Sequence, residues 1–194
     1  MVVVDRENVR RDNGYKLGNV IYLSTFSKTL APGLRLGWIV APAEVISKLV
    51  QLKQGADLHT STFTQVVAHE VARDGFLDEH VRKLRQVYRE RRNAMLSALD
   101  ELFPHEVIWT RPAGGLFLWA TLPETMDCEE LFHAALRENV AFVPGDCFYP
   151  GGNDGRRHMR LNYSCTPPEQ IREGIRRLAV AVRSQIKSPE LVPV

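Results

Sequence analysis

The stretch from Val20 to Ala41, VIYLSTFSKTLAPGLRLGWIVA, constrains this chain more than any other. Val20-Ile21-Tyr22-Leu23 is a continuous apolar run, the pattern of a strand buried on both faces. Ser24, Thr25, Ser27 and Lys28 follow at once, Pro32 and Gly33 force a turn, and a second strand-like run from Leu34 to Ala41 begins with Arg35. In an open α/β sheet, ligands gather where strands end and loops begin, which places Thr25, Ser27, Lys28 and Arg35 near such an edge.

These four residues suit an anionic cofactor held covalently. Arg35 offers a planar, permanently charged fork that grips a phosphate through two hydrogen bonds. Thr25 and Ser27, two apart, point to one side if the backbone is extended, so both hydroxyls can donate to the same phosphate. Lys28 then lies within reach of whatever the phosphate carries. A lysine crowded by cations and partly desolvated loses proton affinity and becomes a nucleophile and proton carrier. Taken singly, Lys28 and Arg35 read better as solvated loop cations; their combination with the hydroxyl pair and the turn points to a site.

Thr25-Phe26-Ser27-Lys28-Thr29-Leu30-Ala31-Pro32-Gly33-Leu34-Arg35-Leu36-Gly37 resembles the cofactor-lysine motif of fold-type I, pyridoxal-phosphate-dependent aminotransferases of class I/II, closest to the branch with 2-aminoadipate and kynurenine aminotransferases. The resemblance implies pyridoxal 5'-phosphate as cofactor, joined to Lys28 as a Schiff base, with Thr25, Ser27 and Arg35 on its phosphate. It implies an amino acid and a 2-oxo acid, 2-oxoglutarate, as substrates, and a homodimer at full length. Members of that family are roughly twice as long as this chain, so the resemblance is to their C-terminal half. The ring-stacking aromatic, the aspartate for the ring nitrogen and the glycine-rich phosphate turn are expected upstream, and the isolated chain is expected to be incomplete for catalysis. Asp5, in VVVDRENVRRD, does not fit the aspartate's setting and is given no role.

With 194 residues, 44% of them hydrophobic and 25% charged, the chain has the balance of a globular protein with a real core. A net charge of +2 is too small to argue for nucleic acid or an acidic membrane. No apolar stretch approaches the roughly 20 residues of a membrane helix, and the start is not a signal peptide. Cys128, Cys147 and Cys165 are odd in number and far apart, which fits reduced thiols in a cytoplasmic protein. His69-Glu70 lacks the second histidine of a zinc-protease motif, so no metal is expected.

Along the chain, Met1–Val4 is a short apolar run, Asp5–Asn13 a charged loop, and Gly14 its end. Val45, Ile46, Leu49 and Leu52 mark a helical face behind Pro42. Thr60, Ser61 and Thr62 are caps for a helix that carries Phe63, Val66, Val67 and Val71 inward. The longest helical pattern runs from Phe76 to Phe103, its arginines and Lys83 reading as a solvated face. The resemblance makes this helix the entry to a small domain, with residues 1–75 a remnant of the cofactor-binding large domain and 76–194 an α+β C-terminal domain.

Val107–Thr110 and Leu116–Ala120 read as strands around Pro112-Ala113-Gly114-Gly115, with Phe117 and Trp119 packing in the core. Asp127 caps a helix that stops at Asn139, and Val140–Val143 is a short strand. Phe148 to Gly152 form a flexible loop that the resemblance would lay over the substrate. Thr166-Pro167-Pro168-Glu169 reads as a capping box for the last helix, with a disordered tail after Lys187.

In His158-Met159-Arg160-Leu161-Asn162-Tyr163-Ser164, alternation puts Met159, Leu161 and Tyr163 on one face and Arg160, Asn162 and Ser164 on the other. An arginine inside a strand needs a carboxylate or open solvent, and spacing alone leaves a structural salt bridge as acceptable as a site. The segment resembles the family's substrate-carboxylate strand, which implies that role for Arg160. A second implied class is the pyridoxal-phosphate-binding effector module of helix-turn-helix transcription regulators, whose lysine motif is very similar.

Overall fold

The computed structural model describes residues 20–151 and 155–186. The expected features at Met1–Val4, Asp5–Asn13 and Gly14, Gly152 of the loop, and the tail after Lys187 lie outside the described residues. Strands β1 (Tyr22–Thr25) and β2 (Gly37–Val40) are followed by helices α1 (Ala43–Asp57), α2 (Thr62–Ala72) and α3 (Phe76–Leu102). Then come β3 (Ile108–Trp109), β4 (Phe117–Thr121), α4 (Cys128–Arg137), β5 (Val143–Pro144), β6 (His158–Asn162) and α5 (Pro168–Gln185). The chain divides into two compact units between Lys83 and Leu84, inside α3.

In the first unit, β1 and β2 pair antiparallel, from Tyr22 opposite Val40 to Thr25 opposite Gly37, and the Tyr22 and Trp38 rings lie 5.2 Å apart. The strand at Tyr22 is not buried on both faces as its apolar run predicts. Leu23 is 68% exposed, and Trp38, Ile39 and Val40 are exposed too, because among the described residues this sheet has only two strands. Ser61 caps α2 by accepting from the Thr64 N–H at 3.5 Å. That helix does not carry its large residues inward: Phe63 is 78% exposed, Val66 and Val71 are exposed as well, and the small Ala68 makes the buried contact.

The second unit holds the core. Its sheet runs β3-β4-β6-β5, antiparallel throughout, with Leu118 opposite Leu161 and Trp119 opposite Arg160. Leu118, Ala120, Met159 and Leu161 point to one side of this sheet and join Met95, Ala98 and Leu99 of α3, Leu131 and Ala135 of α4, and Ile175, Leu178 and Val182 of α5. The buried set on α5 follows the 3.6-residue period of an amphipathic helix. Asp127 caps α4, its carboxylate accepting from the N–H groups of Glu129 at 2.8 Å and Glu130 at 3.4 Å. Beyond α4, Asn139 takes a left-handed φ of 58° and the Val140 N–H returns to the Ala135 carbonyl at 2.9 Å. That closure uses the start of the expected strand at Val140, which leaves only Val143–Pro144 paired.

Three expectations change here. Phe117 and Trp119 face away from the core, which Leu118 and Ala120 fill. The capping box at Thr166 does not form: Pro167 holds the N-cap position without a side-chain hydrogen bond and Pro168 opens the helix. The basic run on α3 is not wholly solvated either. Arg92 donates to the carbonyls of Pro112 at 3.2 Å and Ala113 at 2.7 Å, and Arg91 donates to the Ser164 carbonyl, so the helix ties down two loops of the sheet.

Candidate functional site

The residues singled out from the sequence fall at two places, one in each compact unit. In the first, β1 ends at Thr25 and the chain turns at once: the N–H groups of Thr29, Leu30 and Ala31 all point to the Phe26 carbonyl, at 3.3, 2.8 and 3.1 Å. Ser27 therefore lies in a turn, not in extended chain, and the turn itself brings the two hydroxyls together. Thr25 Oγ1 lies 3.0 Å from Ser27 Oγ and 2.8 Å from the Leu36 carbonyl, and it accepts the Ser27 N–H at 3.1 Å.

Lys28 stands next in the same turn with an exposed side chain and no hydrogen-bond or ion-pair partner among the described residues. It is not partly desolvated, since the described residues place nothing over the turn. Pro32–Leu34 form a single 3-10 turn, and Arg35 follows in the left-handed region at φ 52°, so β2 starts at Gly37 and Arg35 precedes it rather than entering it. Arg35 Nη1 donates to the Pro32 carbonyl at 3.1 Å, and the rest of its fork has no partner among the described residues. Two hydroxyls, a free guanidinium edge and an exposed amine within eleven residues are the donor set of a phosphate-bearing carbonyl compound, and they fit pyridoxal phosphate in kind.

In the second unit, Arg160 sits at the middle of β6, opposite Trp119 of β4 and Val143 of β5. Alternation orients it as expected, with Met159 and Leu161 buried and Arg160 on the other face. No acidic side chain among the described residues pairs with it, so the structural salt bridge is not found there. Its guanidinium carbon instead lies over two aromatic faces, 4.2 Å from the Phe117 centroid and 4.6 Å from that of Phe148. Its Nε is buried and has no hydrogen-bond partner among the described residues.

Sequence reasoning gave Phe117 to the core and Phe148 to a loop over the substrate, and placed neither against Arg160. Phe148 ends a 3-10 turn, Gly145–Phe148, rather than opening a free loop, and it meets Trp119 edge-on with centroids 5.4 Å apart. His158, Trp119 and Tyr149 form a three-ring cluster, with His158 5.6 Å from Trp119 and 5.4 Å from Tyr149, and these two 6.3 Å apart; His158 Nδ1 lies 3.0 Å from Thr121 Oγ1. Burial, and then the charge of Arg157, lowers the pKa of the His158 imidazole from its ordinary value. The signal available in the sequence was the shared parity of Phe117-Trp119-Thr121 with His158-Arg160-Asn162 once the two strands are paired.

The comparisons with known proteins agree over nearly the whole chain. The family model for aminotransferase class I and II matches residues 4–178. A 2-aminoadipate transaminase of Thermus thermophilus is 50% identical over 173 residues, which is 89% of this chain and 43% of that protein. An aromatic-amino-acid aminotransferase of Thermococcus litoralis is 49% identical, covering 88% of this chain and 40% of its own. Among solved structures, kynurenine aminotransferase of Pyrococcus horikoshii superposes with a TM-score of 0.84 at 44% identity, over 90% of this chain and 43% of that one. The α-aminoadipate aminotransferase LysN of Thermus thermophilus, complexed with N-(5'-phosphopyridoxyl)-L-leucine, gives 0.82 at 49% identity over 86% and 42%. A helix-turn-helix transcriptional regulator of Staphylococcus aureus, NorG, is more distant at 32% identity over 87% of this chain and 37% of its own. The chain thus spans about 40% of the length of the curated relatives it matches.

Proposed function

The chain belongs to the aminotransferase class I and II family and has the α/β fold of its fold-type I members, and from that premise we propose that its residues serve amino-group transfer between an amino acid and a 2-oxo acid, with 2-oxoglutarate as acceptor. The observation that carries the reading is the turn after β1, where an exposed Lys28 stands between the Thr25–Ser27 hydroxyl pair and the free edge of Arg35. Pyridoxal phosphate, when bound, supplies the electron sink for bond changes at the substrate Cα.

This chain's own residues do the rest. Thr25, Ser27 and Arg35 hold the phosphate, the guanidinium as a charged fork and the hydroxyls as donors once Thr25 turns its hydrogen away from the Leu36 carbonyl. Lys28 Nζ fixes the cofactor and, once displaced by the incoming amine, carries the proton that leaves the substrate Cα. Arg160 orients the substrate carboxylate, supported by a planar donor edge that no acidic group in the described residues occupies. Residues 1–75 belong in this reading to the cofactor-binding domain and 76–194 to the smaller α+β domain. At full length the protein works, in this reading, as a cytoplasmic homodimer.

Incubation with pyridoxal phosphate, borohydride reduction and peptide mass analysis should place a pyridoxyl group on Lys28, and Lys28→Ala should abolish the label, and turnover in the full-length protein. Labelling of another lysine, or turnover surviving in Lys28→Ala beyond a trace, overturns the reading. The greater identity to enzymes, 49–50% against 32% for the regulator, favours catalysis over a regulatory module.

A further inference from the structure

We infer that Phe117 and Phe148 are positioning residues for Arg160: their ring faces hold its guanidinium in a plane, so that its edge is presented to a carboxylate. The inference rests on the carboxylate-binding role proposed for Arg160. An arginine side chain carries several rotatable bonds, and the entropy of fixing them opposes any bound state. A guanidinium laid on aromatic faces loses part of that freedom beforehand, and the attraction of the cation for the rings replaces part of its hydration. Here both rings lie within 5 Å of the guanidinium carbon, and the buried Nε finds no acceptor among the described residues. The rings, not hydrogen bonds to Nε, therefore set its orientation.

The fold builds this arrangement from two directions. Phe117 sits on β4 opposite Asn162, one same-face position along from Arg160. Phe148 arrives from the Gly145–Phe148 turn, and that turn rests against the start of β6 only because two glycines meet there. A Cβ on Gly145 would lie 2.6 Å from the Gly155 carbonyl oxygen and 2.6 Å from His158 Cβ, and one on Gly155 would lie 2.4 Å from Asp146 Cα. Trp119, edge-on to Phe148, then keeps that ring over the arginine.

The test is ligand-observed magnetic resonance with glutarate, a carboxylate carrying neither amine nor oxo group, titrated into the full chain, with uncharged glutaramide as control. Phe148→Leu and Phe117→Leu should each weaken glutarate binding about fivefold to tenfold, the scale of one such cation–ring contact. Phe148→Tyr, which keeps the ring face, should stay within about twofold of the starting affinity, a rescue that a mere packing role would not require. Melting temperatures of the leucine variants serve to separate lost folding from lost binding. If Arg160→Gln binds glutarate as tightly as the parent, the carboxylate role itself fails. If Arg160→Gln loses binding while both leucine variants keep it, or if Phe148→Tyr falls as far as Phe148→Leu, the positioning role is overturned and Arg160 stands alone.

Discussion

Replacing Gly145 by alanine should destabilise the second unit by about 2 kcal/mol, and the reason is the seam between the Gly145–Phe148 turn and β6. The added methyl would meet the Gly155 carbonyl oxygen at 2.6 Å, His158 Cβ at 2.6 Å and the His158 carbonyl oxygen at 2.8 Å. Two of these are backbone atoms and the third is the root of a side chain, so no flexible tip can move aside. Forcing one methyl into such a contact costs about 1–3 kcal/mol, with backbone shifts. At 2–8 °C per kcal/mol, depending on the size of the cooperative unit, the melting temperature should fall by roughly 5–15 °C.

Gly174→Ala is the matched control. Gly174 lies inside α5, and its added Cβ would meet nothing within 4 Å. Relief of the glycine penalty in a helix should stabilise by about 0.5–1 kcal/mol and raise the melting temperature by a few degrees. Thermal unfolding by far-UV circular dichroism, with hydrogen exchange on the β4–β6 ladder to locate the effect, gives both signs in one experiment. A Gly145→Ala protein that melts within about 1 °C of the parent, or two variants that shift in the same direction, would refute the close approach.

Three further outcomes are expected. Asp127→Ala removes the carboxylate that accepts from the Glu129 and Glu130 N–H groups, and urea denaturation should show a loss of about 1 kcal/mol, while Asp127→Asn should lose much less. Glu173 is held down to about 2 by hydrogen bonds from Arg176 and then Arg177, against a starting value of 4.5. The folded state therefore binds its proton less readily than the unfolded chain. The contribution is fully present above pH 4.5 and disappears as pH falls toward about 2. All three side chains are exposed, so Glu173→Gln should flatten the acid limb of stability in that window at low salt, and about 1 M salt should erase the difference between the two proteins. Lys28→Arg should keep the fold and the melting temperature yet take up no borohydride-fixed pyridoxyl group; a label at full occupancy would show that another amine serves.

The orientation of Arg160 was legible because His158-Met159-Arg160-Leu161-Asn162 alternates polar and apolar side chains, and a strand of period two can bury only one of those sets. Phe117-Leu118-Trp119-Ala120 carries no such signal. All four side chains are apolar, so parity alone leaves undecided which pair faces the core. The pairing decides it: Leu118 stands opposite Leu161 and Trp119 opposite Arg160, so the face of β4 is inherited from its neighbour. The same dependence on distant residues hid Phe148, whose place follows from two glycines ten positions apart that have no reason to meet until α4 and β5 have formed. It also hid the tasks of Arg91 and Arg92, which look like their solvated neighbours until the sheet loops supply carbonyls to them.

The converse holds in the first unit. Val20 to Leu23 records a preference for burial, and a run of apolar residues encodes that preference whether or not covering elements are at hand. At the lysine turn the two hydroxyls do meet, but for a different reason from the one expected. An extended chain would have placed Thr25 and Ser27 side by side through pleating; the turn achieves it through the Phe26 carbonyl and the Thr25 contact with Leu36. That geometry ties Thr25 to the residue just before β2, so the hydroxyl pair is positioned by the strand pair itself rather than by a free loop.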